Sequence, residues 1–198
     1  MGKPMIRSQS IKIVLIALSC VILSHNSLAD VFDVSLNNEV AEFAYQPWGD
    51  VDVESDNGGP ELGLLFNEDG DWMLSGKLLV ASANSAGLQL SPGIKLNLIN
   101  ADDIDSDINV AFALGGRASG LLPTALPLRA FGELFYSPSI TSFNDLESVL
   151  ETEIGIEYQA ATNASVYLGY RRVNIDVDGI KKDLKLDEKI HIGLKFNF

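Results

Sequence analysis

The chain is poor in the residues that most site chemistry draws on: it has one cysteine, Cys20, and two histidines, His25 and His191. A single thiol excludes an internal disulfide and a metal centre built on paired cysteines. Positive charge is also scarce, with 14 Lys and Arg against 27 Asp and Glu. That balance argues against nucleic acid as a partner, because a basic patch is what binds phosphates. Long apolar runs are missing too. After Leu23 no stretch approaches the ~18–20 apolar residues that a membrane-crossing helix needs. Pro and Gly are scattered, and no long segment carries helical periodicity.

What is present begins with an ordered N-terminus. Lys3, Arg7 and Lys12 precede the apolar run Ile13 to Leu23, no acidic residue occurs before Asp30, and Ser27-Leu28-Ala29 places small residues where a signal peptidase reads. This order predicts a secretory signal peptide over 1–29 and a mature domain over 30–198. The run is too short for a spanning helix. A lipoprotein reading of Ala17-Leu18-Ser19-Cys20 is disfavoured, because cleavage there splits the apolar run. Cleavage after Ala29 removes Cys20 and three basic residues, leaving a formal charge of −16 and His191 as the one histidine.

The C-terminus is the sharper signal. Ile190, Ile192, Leu194, Phe196 and Phe198 fall on one face of an extended segment, with Lys189, His191, Gly193, Lys195 and Asn197 on the other. Period two over ten residues is a strand with one apolar and one polar face. Its length suits a tilted membrane-crossing strand of ~9–11 residues. An alternating strand ending in a terminal Phe resembles the assembly signal of outer-membrane barrels. Similar alternation recurs through 150–159, 126–136, 108–117, 88–98, 72–81, 62–66 and 41–45. The second face of these segments is rich in Gly, Ala and Ser, as a crowded barrel interior would be. Trp72, Tyr136, Tyr158 and Phe198 lie near strand ends, as interfacial girdles do.

Connections alternate in length. With Phe198 at the periplasmic end, the long polar connections near 178–187, 138–147 and 99–106 face outside, and the shorter ones at 160–163, 119–124 and 83–86 face the periplasm. Outer-membrane barrels show this asymmetry. The N-terminal part does not settle into the scheme. Nine segments become ten if Val31 to Leu36 is a strand, or eight if one early segment does not cross. The acidic stretch Gly49 to Asn57 reads as an external loop, although ten strands place it on the periplasmic side. A phase slip occurs at Arg171-Arg172: Val166, Leu168 and Tyr170 share one face, and Val173, Ile175 and Val177 the other. A β-bulge, or a strand continuing past the lipid, reconciles them.

The C-terminal half resembles the YfaZ family of outer-membrane proteins. The resemblance rests on Gly132-Glu133-Leu134-Phe135-Tyr136-Ser137-Pro138-Ser139, on Asn163-Ala164-Ser165-Val166-Tyr167-Leu168-Gly169-Tyr170-Arg171-Arg172, and on the terminal Gly193 to Phe198. It extends through the Asn-Glu-Asp-Gly-Asp hairpin at 67–71 and is faint upstream of Gly59. It implies a Gram-negative outer-membrane barrel and supplies no activity.

Charge on the inward face of consecutive strands is the candidate site. Arg117, Arg129, Glu133, Glu151, Glu153, Glu157, Arg171, Arg172 and Lys195 bring opposite signs to neighbouring strands, where cross-strand pairs meet. They either line an ion-selective pore or form an ion-pair network that fills a narrow lumen. Size favours the filled interior, since about eight strands enclose just enough space for side chains and open porins use 16–18. Asp102, Asp103, Asp105 and Asp107 lack the spacing of a Ca²⁺-binding EF-hand loop. His191 is the one candidate base for a barrel hydrolase, and its strand offers no serine.

The sequence therefore predicts an all-β fold, a closed antiparallel transmembrane β-barrel of 8–10 strands following a signal peptide. The expected protein is a non-enzymatic, porin-like barrel of the cell outer membrane, with a narrow charged lumen that is plugged or passes small solutes. No catalytic residue, metal or cofactor is expected. The expected partners are outer-membrane lipid and, through Ile190, Ile192, Leu194, Phe196 and Phe198, the barrel-assembly machinery. The alternatives are a surface interaction protein using acidic loops and a lipid-modifying barrel enzyme centred on His191.

Overall fold

The computed structural model describes residues 30–47, 58–80, 87–102, 104, 108–179 and 184–198. The predicted signal peptide and the acidic stretch 49–57 lie outside the described residues, as do Asp103, Asp105 and Asp107.

Eleven strands follow one another: β1 (Val31–Leu36), β2 (Val40–Gln46), β3 (Gly58–Asn67), β4 (Trp72–Val80), β5 (Leu88–Asn100), β6 (Asn109–Leu121), β7 (Leu128–Ser137), β8 (Ser142–Phe143), β9 (Leu146–Ala161), β10 (Ala164–Val177) and β11 (Leu184–Asn197). Each pairs antiparallel with its neighbours, and β1 pairs with β11. The result is a closed ring of ten strands, β1 to β7 and then β9 to β11. Closure is the physical requirement, because an unpaired backbone group in hydrocarbon costs several kcal/mol and a ring has no edge. The two-residue β8 continues the line of β7. Leu114 pairs with Tyr136 and Ala111 with Ser142, so the two residues between them on β6 face five on its partner. The excess bulges out at the 3₁₀ turn Ser139–Thr141.

Strand number is ten, and Val31 to Leu36 is a strand of its own. The first two turns explain why it was hard to read. Asn37 Oδ1 accepts from the backbone N–H groups of Glu39 (2.8 Å) and Val40 (2.7 Å), which turns the chain in three residues. Asn67 Oδ1 does the same for Asp71 N–H at 2.9 Å. Asn at such positions replaces a backbone partner. These short turns lie at the same end as the long connections 101–108, 138–145 and 178–183. The connection 47–57 joins β2 to β3 at the end that carries the chain termini, where Gln46 Nε2 donates to Gly58 O at 3.1 Å. Loop asymmetry therefore holds from β5 onward and fails before it. The acidic stretch Gly49 to Asn57, expected as an external loop, lies outside the described residues.

The side chains divide cleanly between the faces. Leu114, Ile154, Leu168, Ile190 and Ile192 point outward and are exposed, while Lys77, Lys95, Arg129, Glu151, Glu157 and Arg171 are buried inside the ring. A soluble sheet does the reverse. An apolar band running round the ring far exceeds the few hundred Å² that soluble monomers expose, and it suits hydrocarbon.

The phase slip near Arg171 has a different cause from a backbone slip. β10 alternates without interruption, with Ser165, Tyr167, Arg171, Val173, Ile175 and Val177 all inward. What changes is which face is apolar. Up to Tyr170 the outward residues are apolar; beyond it they are Arg172, Asn174 and Asp176. Beyond that point the outward face is polar and the inward face apolar, the pattern expected of a strand that continues past a lipid belt. A bulge is present on β11, where Val173 pairs with Asp187 and Asn174 with Lys185. It turns both Leu186 and Asp187 inward.

The inward apolar residues at this end form one cluster. It draws Val40 from β2, Leu65 from β3, Met73 from β4, Ile99 from β5, Ala111 from β6, Val149 from β9 and Val173 and Ile175 from β10. Ile99, Ala111, Val149, Val173 and Ile175 are 0% exposed, so no water-sized channel touches them.

Where the first strand meets the last, β1 offers only six registered pairs. A row of phenyl rings reinforces the seam from outside. Phe196 and Phe32 have centroids 5.6 Å apart, Phe32 and Phe43 6.3 Å, and Phe43 and Phe66 6.0 Å. Aromatic pairs in this range contribute about 0.5–1.5 kcal/mol each beyond area burial. Phe32 takes part in two of them, so Phe32→Ala should lower stability by about 1–3 kcal/mol. Urea unfolding of the lipid-embedded protein measures this, and an unchanged midpoint would show that the row does not hold the seam.

Candidate functional site in the barrel interior

The interior below the apolar cluster is polar. A cavity of about 90 Å³ is lined by side chains of nearly every strand, including Lys77, Lys95, Arg117, Arg129, Arg171 and Lys195 and seven carboxylates. That is room for several waters among the charged groups.

Three of the interior ion pairs are chords across the ring. Lys77 on β4 reaches Glu133 on β7 at 3.0 Å and Glu61 on β3 at 2.9 Å. Lys95 on β5 reaches Glu151 on β9 at 2.6 Å, where Asn97 Nδ2 also donates at 2.5 Å. Arg171 on β10 pairs with Glu42 on β2, and its Nε donates to Asp187 at 2.8 Å. The Lys77–Glu133, Lys95–Glu151 and Arg171–Glu42 bridges each join strands three places apart in the ring. Such a bridge forms only where the lumen is no wider than the two side chains laid end to end.

Shorter links complete the layer. Lys195 reaches Glu157 at 3.1 Å, and Ser165 Oγ donates to the same carboxylate at 2.5 Å. Arg117 lies 3.9 Å from both Glu133 and Glu157, and its guanidinium stacks 4.5 Å from the Phe131 centroid. Tyr167 Oη donates to Asp33 at 3.0 Å. Glu153 Oε1 lies 3.1 Å from His191 Nε2.

Glycines make the space for these rings. A Cβ on Gly193 would lie 2.0 Å from the Tyr167 ring, and one on Gly155 would lie 2.6 Å from the Phe131 ring. Each aromatic lies flat over the glycine opposite it in register. Phe131, Tyr167 and His191 then meet edge to face, at 5.9 and 5.7 Å. Arg117 and Lys195 stand over this wall.

The structure brings eight of the nine sequence candidates into one space: Arg117, Arg129, Glu133, Glu151, Glu153, Glu157, Arg171 and Lys195. Arg129 stands opposite Glu157 in register. Arg172 is the exception and is corrected. Adjacent residues of a strand face opposite ways, so with Arg171 inward Arg172 points out. Its side chain is 42% exposed and lies 3.5 Å from Glu188 on the outer surface. Sequence reasoning omitted Asp33, Glu42, Glu61, Lys77, Lys95, Asp187 and Tyr167. Lys77 and Lys95 had the right phase; Lys77 faces Glu61 in register on β3, while Lys95 faces Lys77 and Ala113, and the chords were not foreseeable from strand order. Of the strand predicted to carry the assembly signal, Ile190, Ile192 and Leu194 are exposed on the outer face and Phe196 joins the phenyl row.

His191 is 1% exposed beneath Tyr167, and among the described residues no serine is hydrogen-bonded to its ring. No metal-holding group of acidic, Cys or His residues occurs among the described residues.

Lys95 and Glu151 are each 8% exposed. Removing one partner of such a pair leaves a buried charge, at a cost of about 3–5 kcal/mol. Lys95→Met should therefore destabilise strongly, and adding Glu151→Gln should recover part of the loss. A double-mutant cycle by chemical denaturation reads the coupling; additive losses would mean that the pair does not interact.

Outward apolar faces, a closed antiparallel ring and an interior of paired charge define a β-barrel of the outer-membrane type. A family profile described as "YfaZ precursor" matches residues 12–198, and the chain belongs to that family. No curated protein matches it. Among solved structures it is similar to a chain titled "Bacterial polysaccharide outer membrane secretin", with TM-score 0.45 and 11% identity over 88% of this chain and 67% of that one. It is also similar to one titled "Crystal structure of the outer membrane channel DcaP of Acinetobacter baumannii", with TM-score 0.41 and 12% identity over 86% of this chain. It spans 62% of that channel's length.

Proposed function

We propose that this protein is a non-enzymatic barrel of the outer membrane whose interior is filled, an anchor that holds a polar-surfaced collar outside the lipid and does not serve as an open pore. The observation that carries this reading is the pairing of bridges across the lumen with a sealed apolar layer above them. An open channel keeps its lining wet. Here the lining charges are spent on one another, and above them Ile99, Ala111, Val149, Val173 and Ile175 are fully buried. Near-balance between six basic and seven acidic lining groups also supports a structural network over a selective filter, which needs an excess of one sign. On this reading the chain termini face the periplasm, the apolar cluster lies at the external end, and the face of Ile190 to Phe198 is offered first to the assembly machinery and then to lipid. The non-enzymatic part rests on His191, whose ring is walled in by Glu153 and Tyr167, with no serine hydrogen-bonded to it among the described residues.

Planar-bilayer recording tests the proposal. The purified protein, inserted at high salt, should leave a flat baseline. Reproducible discrete steps that vanish on reversing the charge of Lys77 or Arg117 would replace the filled barrel with a conducting one.

A further inference from the structure

The rim at the end opposite the chain termini is uneven. On β10 the last three outward residues are Arg172, Asn174 and Asp176, all polar. On the other side of β9 the surface stays apolar to the very edge. Ile108, just before β6, is 50% exposed, and Phe143 on β8 is 54% exposed. Ile140, at the tip of the turn between β7 and β8, is 84% exposed. These two stretches of rim are neighbours, since Leu146 at the start of β9 pairs with Val177 and lies three residues after Phe143.

The turn that carries Ile140 is built to hold it out. Thr141 N–H donates to Pro138 O at 2.9 Å, and the hydroxyls of Thr141 and Ser142 both donate to the same carbonyl at 3.1 Å. Ser137 Oγ bonds the Ser142 hydroxyl at 3.0 Å. The hydroxyls of Ser137, Thr141 and Ser142 are held in this network, Ser139 is exposed, and the one large apolar side chain looks away from the protein. In water that arrangement is unfavourable. Resting on the membrane reading above, we propose that Ile140, Phe143 and Ile108 are embedded in the acyl chains of the outer leaflet. The partner is lipid because the patch is continuous with the lipid-facing band below it, through Phe112 and Leu114 on β6 and Leu134 and Tyr136 on β7. The bilayer then stands higher against β6 to β8 than against β10, and the barrel lies tilted, with one side of its rim submerged and the collar of β9 to β11 clear of the lipid. Tilt of this kind is how membrane proteins answer an apolar surface of unequal height.

Tryptophan quenching tests it. In a Trp48→Phe, Trp72→Phe background, Ile140→Trp, Asn174→Trp and Ile192→Trp are placed singly and reconstituted into vesicles of phosphatidylcholine brominated on its acyl chains. Ile192→Trp, in mid-band, and Ile140→Trp should both lose at least about half their emission, while Asn174→Trp keeps its emission and is quenched by aqueous iodide. Ile140→Trp quenched no more by bromine than Asn174→Trp, with Ile192→Trp quenched, overturns the tilt and leaves the membrane barrel standing. Ile140→Trp shielded from bromine and iodide alike also overturns it and assigns the patch to a protein contact. An unquenched Ile192→Trp sinks the membrane reading itself.

Discussion

A barrel wall is one residue thick, so every strand separates two surroundings and each face must suit its own. Through most of the ring the outside is hydrocarbon and the inside is enclosed. Leucine, isoleucine and phenylalanine point out, and charge points in. Past Tyr170 the outward residues turn polar, and the pattern inverts along a strand whose backbone does not change course. Arg172, Asn174 and Asp176 then face out, with Val173, Ile175 and Val177 packed inside as in any soluble core. Two folding regimes occupy one continuous sheet, and the border between them is where we propose that the lipid ends on that side.

The interior follows from size. Ten strands leave a space that long side chains can cross, so Lys77, Lys95 and Arg171 find carboxylates three strands away. Buried charge is tolerated only when paired, and here the pairing itself fills the lumen. Phe131 and Tyr167 lie flat over Gly155 and Gly193, giving the cations an aromatic wall to stand on. The small residues that look featureless in the sequence are what allow the large ones to fold down onto the wall.

Much of this was legible in the sequence. The C-terminal strand, the inward phase of Arg117, Glu133, Glu151 and Glu157, and the closed barrel all follow from period-two alternation, since a strand's faces are fixed by parity alone. What parity cannot give is the partner across a lumen, so the chords of Lys77 and Lys95 were invisible. Nor can it say which solvent a face meets. The same alternation reads as a slip when the solvent changes, and that is how Arg172 came to be placed inside and the apolar cluster above Arg171 was missed. The first two hairpins, closed by Asn37 and Asn67 in very few residues, hid the strand count and reversed the loop asymmetry that the rest of the chain obeys.

The inversion at Tyr170 is the claim on which the account turns, and the near absence of cysteine makes it measurable. In a Cys20→Ser background, cysteines placed one at a time at 168, 170, 173, 174, 175 and 176 are exposed to a membrane-impermeant maleimide in the folded, lipid-embedded protein. Positions 174 and 176 should label readily; 168 and 170 should be shielded by lipid, and 173 and 175 by the apolar core. Labelling of 173 and 175 as fast as 174 would show a wet lumen, and labelling of 168 and 170 at that rate would show that the apolar face is not in the membrane at all.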